Sequence, residues 1–107
     1  GAFNNLGNCY DRLGKTSKAL NAYTQAITIN SHYIAAIYNR GNVQIKLGED
    51  ELAYQDLTKV IELDANFYQA YYNRGTLLAR MGKLEQSEKD LTKAKALAQQ
   101  ELEQKTH

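Results

Sequence analysis

At 107 residues, with 43% hydrophobic and 23% charged residues, the chain has the size and balance of one modest globular unit. A net charge of +1 supplies no global field to draw in nucleic acid or an anionic membrane, and no apolar run approaches membrane-spanning length. The single cysteine, Cys9, excludes an internal disulfide and a cysteine-based zinc site, while the absence of proline and of strand-like alternation points to an all-α chain.

In chain order, the first predicted helix lies near 2–13, where Phe3, Leu6, Tyr10 and Leu13 recur at helical spacing. Gly14 stops it, because glycine accepts the left-handed conformation that closes a helix. A second helix near 17–30 carries Ala19, Tyr23, Ala26 and Ile27. The same pair then returns twice: helices near 35–47 and 51–63, the latter with Ala53, Leu57, Val60 and Ile61, and helices near 69–81 and 85–104. Gly7, Gly41 and Gly75 stand 34 residues apart, and so do Gly14, Gly48 and Gly82. A fixed period of this length marks one supersecondary unit stacked three times, over 1–33, 34–67 and 68–107. Glycine inside a helix costs about 1 kcal/mol against alanine. Its recurrence at 7, 41 and 75 therefore implies close approach of a partner helix.

The text around these glycines resembles the tetratricopeptide family. Leu6-Gly7, Tyr10, Ala19, Tyr23 and Ala26 match the family pattern in the first unit; the second keeps Gly41 and Ala53, and the third Gly75 and Ala94. Arg40 and Arg74 replace the family's leucine, with Asp56 and Asp90 recurring as their candidate partners, and Ser31 and Ala65 stand where a proline is usual. The resemblance implies an α-solenoid of three antiparallel helix hairpins in a right-handed superhelix. The first helix of each hairpin is then expected to line a concave groove that holds an extended segment of a partner protein.

Three sets of residues fall on that stripe. Asn5, Asn39 and Asn73 form a ladder, flanked by Asn8 and Asn42. A side-chain amide both donates and accepts, so it suits the backbone of an extended peptide, or equally a neighbouring helix. Arg12, Lys46 and Arg80 form a row of cations, suited to the carboxylates of an acidic segment or to a solvated rim. Tyr38 and Tyr72 offer a broad apolar face with a polar tip, for a ligand or for padding between helices. The two-carboxylate clamp of family members that bind chaperone C-termini is incomplete: Asn8 and Asn39 match its asparagines, but Asn4, Gln69 and Asn73 stand at its cationic positions. A chaperone co-factor of that type is not expected.

No catalytic residues, cofactor or metal ligands are expected. His32 lies at a turn and His107 at the terminus, neither near a nucleophile, and Cys9 is expected to be buried between Leu6 and Leu13. The partner class is therefore protein or peptide, not nucleic acid or membrane, in a cytoplasmic setting that the lone cysteine suits. The alternative is self-association. Leu6, Cys9 and Leu13 make a stripe that a preceding helix would cover, and the chain opens without methionine, so upstream repeats are expected in the parent protein, and homo-oligomerisation through this N-terminal face in the fragment. The other end reads as a solvated terminus: Glu88 and Lys95 replace Tyr54 and Ile61, with Glu85–Lys89 and Glu101–Lys105 as supporting pairs.

Overall fold

The computed structural model describes residues 1–105; Thr106 and His107, and with them the histidine at the terminus, lie outside the described residues. Six helices follow one another: α1 (Ala2–Arg12), α2 (Thr16–Ile29), α3 (Ile34–Lys46), α4 (Asp50–Leu63), α5 (Tyr68–Arg80) and α6 (Leu84–Lys105). There is no strand among the described residues. Helices α1 and α2, α3 and α4, and α5 and α6 pack as hairpins, and each hairpin packs on the next to give an α-solenoid.

Each hairpin turns in the same way. Gly14, Gly48 and Gly82 adopt φ of 75°, 77° and 81°. In the first turn Gly14 N–H donates to Asp11 C=O and Lys15 N–H to Tyr10 C=O, the paired bonds that close a helix on a left-handed glycine. Between hairpins, where no proline stiffens the chain, Asn30 and Asp64 hold the turn instead. Their side-chain oxygens accept from the N–H of His32 at 3.1 Å and of Asn66 at 3.0 Å.

The core gathers at the middle hairpin, around Ile37, Ala53, Leu57, Val60, Ala70 and Leu77. Arg40 and Arg74 each grip a carboxylate on the second helix of their own hairpin through two bonds: Nε and Nη2 of Arg40 to Asp56 at 2.7 and 2.8 Å, and of Arg74 to Asp90 at 2.7 and 2.9 Å. Their remaining nitrogens reach back to Thr24 and Thr58 on the preceding hairpin. Each fork thus ties three helices, and its hydrogen bonds to the aspartate raise both arginine pKa values further.

One expectation is overturned: Cys9 is exposed, not buried. Its counterparts Val43 and Leu77 are buried because a preceding hairpin covers them, and no described helix lies before α1. Leu6 and Leu13, 42% and 69% exposed, share that open face. At the other end α6 runs for 22 residues, with Glu88 and Lys95 exposed. Glu101 and Lys105 pair at 3.3 Å, but Glu85 and Lys89 do not.

The three mid-helix glycines are not equally tight. A methyl group at Gly7 would stand 2.5 Å from the Tyr23 ring, and at Gly75 2.8 Å from Leu91 Cγ, whereas at Gly41 it would rest 3.4 Å from Asp56 and Leu57. Gly41→Ala is therefore expected to melt at or above the parent temperature, because the helix propensity gained is about 1 kcal/mol. Gly75→Ala and the bulkier Gly41→Leu are expected to lose about 1–3 kcal/mol by overpacking. Thermal melts in which Gly75→Ala is as stable as Gly41→Ala would contradict this ranking.

Candidate functional site

The first helices α1, α3 and α5 lie side by side, and their facing side chains join them. Asn39 Nδ2 donates to Asn4 Oδ1 at 3.1 Å and to Asn8 Oδ1 at 3.2 Å. One repeat later, Asn73 Nδ2 donates to Tyr38 Oη at 2.9 Å and to Asn42 Oδ1 at 2.8 Å. Both donors of each amide are thereby used within the array, and neither Oδ1 of Asn39 nor that of Asn73 accepts a hydrogen bond among the described residues. Asn5, the first member of the ladder, is exposed.

Tyr23 orients the first rung. Its ring is buried against Gly7, and its hydroxyl donates to Asn8 Oδ1 at 2.5 Å. Burial first, then the nearby negative charge of Asp11 and Cys9, pushes its pKa up from 10.0 to about 12. Sequence reasoning placed Tyr23 in the hairpin core and missed this bond; the signal available was its small partner Gly7, which leaves room for the ring. Asn4, noted in the sequence at a cationic position of the missing clamp, is buried and serves as a rung acceptor.

The cation row is partly neutralised. Lys46 Nζ pairs with Asp11 at 2.8 Å, and Arg80 with Asp50, also donating to the Ile45 carbonyl at 3.4 Å. Arg12 has no carboxylate partner among the described residues; its guanidinium lies 3.8 Å from Cys9 Sγ. Asp11 and Asp50 escaped notice in the sequence because they sit 35 and 30 residues before their partners, with no shared period. Both pairs are exposed, so each is worth about 0–1 kcal/mol and can exchange its carboxylate for another.

Two hollows flank Tyr72 and Asn73. The smaller, about 290 Å³, lies between α3 and α5 and brings together Asn42, Lys46, Tyr72, Asn73 and Arg80 with Thr76. The larger, about 540 Å³, opens between α3, α5 and α6 and is lined by Tyr38, Tyr68, Gln69, Tyr72, Leu91 and Lys95, among others. Tyr38 is held there by a tilted ring contact with Phe67, centroids 4.9 Å apart; Tyr72 is 58% exposed. Asn5, Asn8, Asn39 and Arg12 lie outside both hollows. No group of three metal-ligating side chains occurs among the described residues, and no described helix is long and apolar enough to cross a membrane.

Residues 2–33, 34–67 and 57–89 each match the tetratricopeptide repeat, the last in a register that straddles the second and third hairpins. The chain belongs to the tetratricopeptide-repeat family. Among solved structures it is similar to MamA, with 25% identity and a TM-score of 0.91 over 95% of this chain. It spans 60% of the MamA chain. It is also similar to the second tetratricopeptide domain of Spaghetti (RPAP3) bound to the HSP90 peptide SRMEEVD, with 28% identity and a TM-score of 0.87 over 90% of this chain and 89% of that one. The first domain of that protein, bound to the same peptide, gives 25% identity and a TM-score of 0.87 over 90% and 76%. No curated protein matches. A tetratricopeptide array is a protein-interaction scaffold.

Because the folded state holds the Tyr23 proton up to about pH 12 and the unfolded chain releases it near pH 10.0, this contribution to stability is whole below pH 10.0 and is lost as the pH rises through about 12. Melting temperature is expected to fall more steeply over that window for the parent than for Tyr23→Phe. Equal slopes would show that the buried hydroxyl is not coupled to folding.

Proposed function

We propose that the chain is a non-catalytic, cofactor-free scaffold that holds an extended segment of a partner protein along α3 and α5, in a cytoplasmic setting. The observation that carries this reading is the smaller hollow, where Asn42, Lys46, Tyr72, Asn73 and Arg80 meet. Asn39 and Asn73 offer acceptor oxygens to the N–H groups of an extended backbone, and Tyr72 offers a rigid apolar face. Lys46, Arg80 and Arg12 favour carboxylates on the segment, which displace Asp11 and Asp50 from weak exposed pairs. Asn5 and Asn8 belong to the same stripe on α1 and extend the track towards Arg12.

The Spaghetti domains carry an HSP90 peptide, but this groove is proposed to take an internal stretch rather than a free C-terminus. Asn4 is buried and engaged by Asn39, both amide donors of Asn73 are used, and Gln69 carries no charge, so no cation stands where a terminal carboxylate would need one.

A second reading is self-association through the N-terminal face. It rests on the exposure of Leu6, Cys9 and Leu13 on α1.

Peptides selected from a random displayed library are expected to be acidic and to bind at about micromolar affinity, as befits a small interface. Tyr72→Ala and the double change Lys46→Ala/Arg80→Ala should each weaken them about tenfold, roughly 1.4 kcal/mol, with unchanged melting curves. The peptide SRMEEVD should bind no better than its C-terminally amidated form. Affinity indifferent to Tyr72, to the two cations and to salt would refute the groove; a preference for the free carboxylate would refute the internal-segment reading.

A further inference from the structure

The rungs between first helices follow a rule that the described residues leave open at both ends. Asn39 donates to acceptors 35 and 31 residues before it, and Asn73 does the same. Asn5 holds the donor position of this pattern, is exposed, and makes no side-chain hydrogen bond among the described residues. At the far end, Tyr72 and Thr76 hold the acceptor positions, 34 residues beyond Tyr38 and Asn42. Both are exposed, and neither side-chain oxygen receives a hydrogen bond among the described residues; Thr76 only donates, to the Tyr72 carbonyl at 3.0 Å.

The apolar surfaces follow the same rule. Val43 on α3 is buried in a cluster with Ala19 and Tyr23 of the hairpin before it, Ala70 and Leu77 on α5 in one with Ile37, Ala53, Leu57 and Val60 of theirs, and Ala36 on α3 is buried as well. Their counterparts on α1, Ala2 and Cys9, are exposed, with Leu6 and Leu13 beside them. The seat that α5 occupies against α3 and α4 has its counterpart one repeat on: the larger hollow walled by Tyr72, Leu91 and Ala94, left open. Donor, acceptors, apolar face and apolar seat are thus the two halves of one contact that occurs twice within the chain. A short helical array grows by repeating its nearest-neighbour interface.

We propose that the 107-residue chain stacks head to tail, with α1 of one copy seated in the α5–α6 hollow of the next and Asn5 donating to Tyr72 and Thr76 there. This rests on the self-association reading and adds the receiving surface and the symmetry. The contact joins two different surfaces, so it is heterologous and leaves a free head and a free tail on every oligomer. Lys95 and Glu88 stand where the internal junction has Ile61 and Tyr54. A lysine in the seat weakens the contact, which makes stacking concentration-dependent and limits its length.

Sedimentation of three variants and one mixture decides the matter, with melting curves to establish that each folds. The head variant is Leu6→Glu/Leu13→Glu; the tail variant is Gln69→Glu/Ala98→Glu, which alters the larger hollow and not the smaller one. The parent chain is expected to pass through dimer and trimer as its concentration rises, and each variant alone to stay monomeric. Their mixture is expected to give a one-to-one heterodimer and nothing larger, since one free head meets one free tail. The third variant, Lys95→Ile, should shift the parent's association to about tenfold lower concentration. A tail variant that still pairs with itself would show a symmetric contact between N-terminal faces and overturn the proposal. So would a mixture of folded variants that stays monomeric, or a parent chain monomeric at about millimolar concentration. Peptide affinity in the smaller hollow, measured on the head and tail variants, is expected to be unchanged, so loss of stacking and loss of the groove are separate results.

Discussion

The amide donors of Asn39 and Asn73 fix the spacing on which the groove depends. Each spans from one first helix to two acceptors on the helix before it. A net hydrogen bond contributes only about 1 kcal/mol, but an amide left unpaired at a half-buried position costs about 1–3 kcal/mol. The rungs therefore do more to exclude other registers than to add stability. With both donors directed along the array, the amide of Asn73 lies at the edge of the hollow that it shares with Asn42, Lys46, Tyr72 and Arg80.

Behind the rungs, the Arg40–Asp56 and Arg74–Asp90 forks hold each hairpin closed and reach the preceding one through Thr24 and Thr58. Partial burial makes these pairs expensive to break, because removing either partner strands a charge. The first hairpin has no fork: Leu6 and Ala22 stand at the corresponding positions. It relies on the Tyr23 ring beneath Gly7 and on the Tyr23–Asn8 bond. Two chemically different solutions thus produce one backbone geometry, and the change from one to the other coincides with the face of α1 that no described helix covers.

The fold was legible in the chain because it repeats. Six glycines at a common spacing gave the hairpins, their turns and, within one or two residues, every helix end. The Arg–Asp partnerships were legible for the same reason, since both members recur together. What periodicity does not encode was missed. Asp11 and Asp50 neutralise two of the three cations from unrelated positions, and the Asx turns at Asn30 and Asp64 replace a proline through local side-chain geometry. Cys9 drew two readings, a buried thiol and a member of the open stripe with Leu6 and Leu13; the second holds, because a small thiol is buried only where another helix lies against its face. The asparagine ladder could be read from spacing, but the direction of its bonds required neighbouring helices in three dimensions.

The central claim is that Asn39 and Asn73 are committed donors within the array while Asn5, at the same repeat position, is not. Side-chain amide hydrogen exchange, followed by NMR on the monomeric head variant, reads this directly. The account predicts slowed exchange of the Nδ2 protons of Asn39 and Asn73 and free-amide exchange at Asn5. Equal, rapid exchange at all three would show that no such rungs join the first helices, and the groove built on them would have to be abandoned.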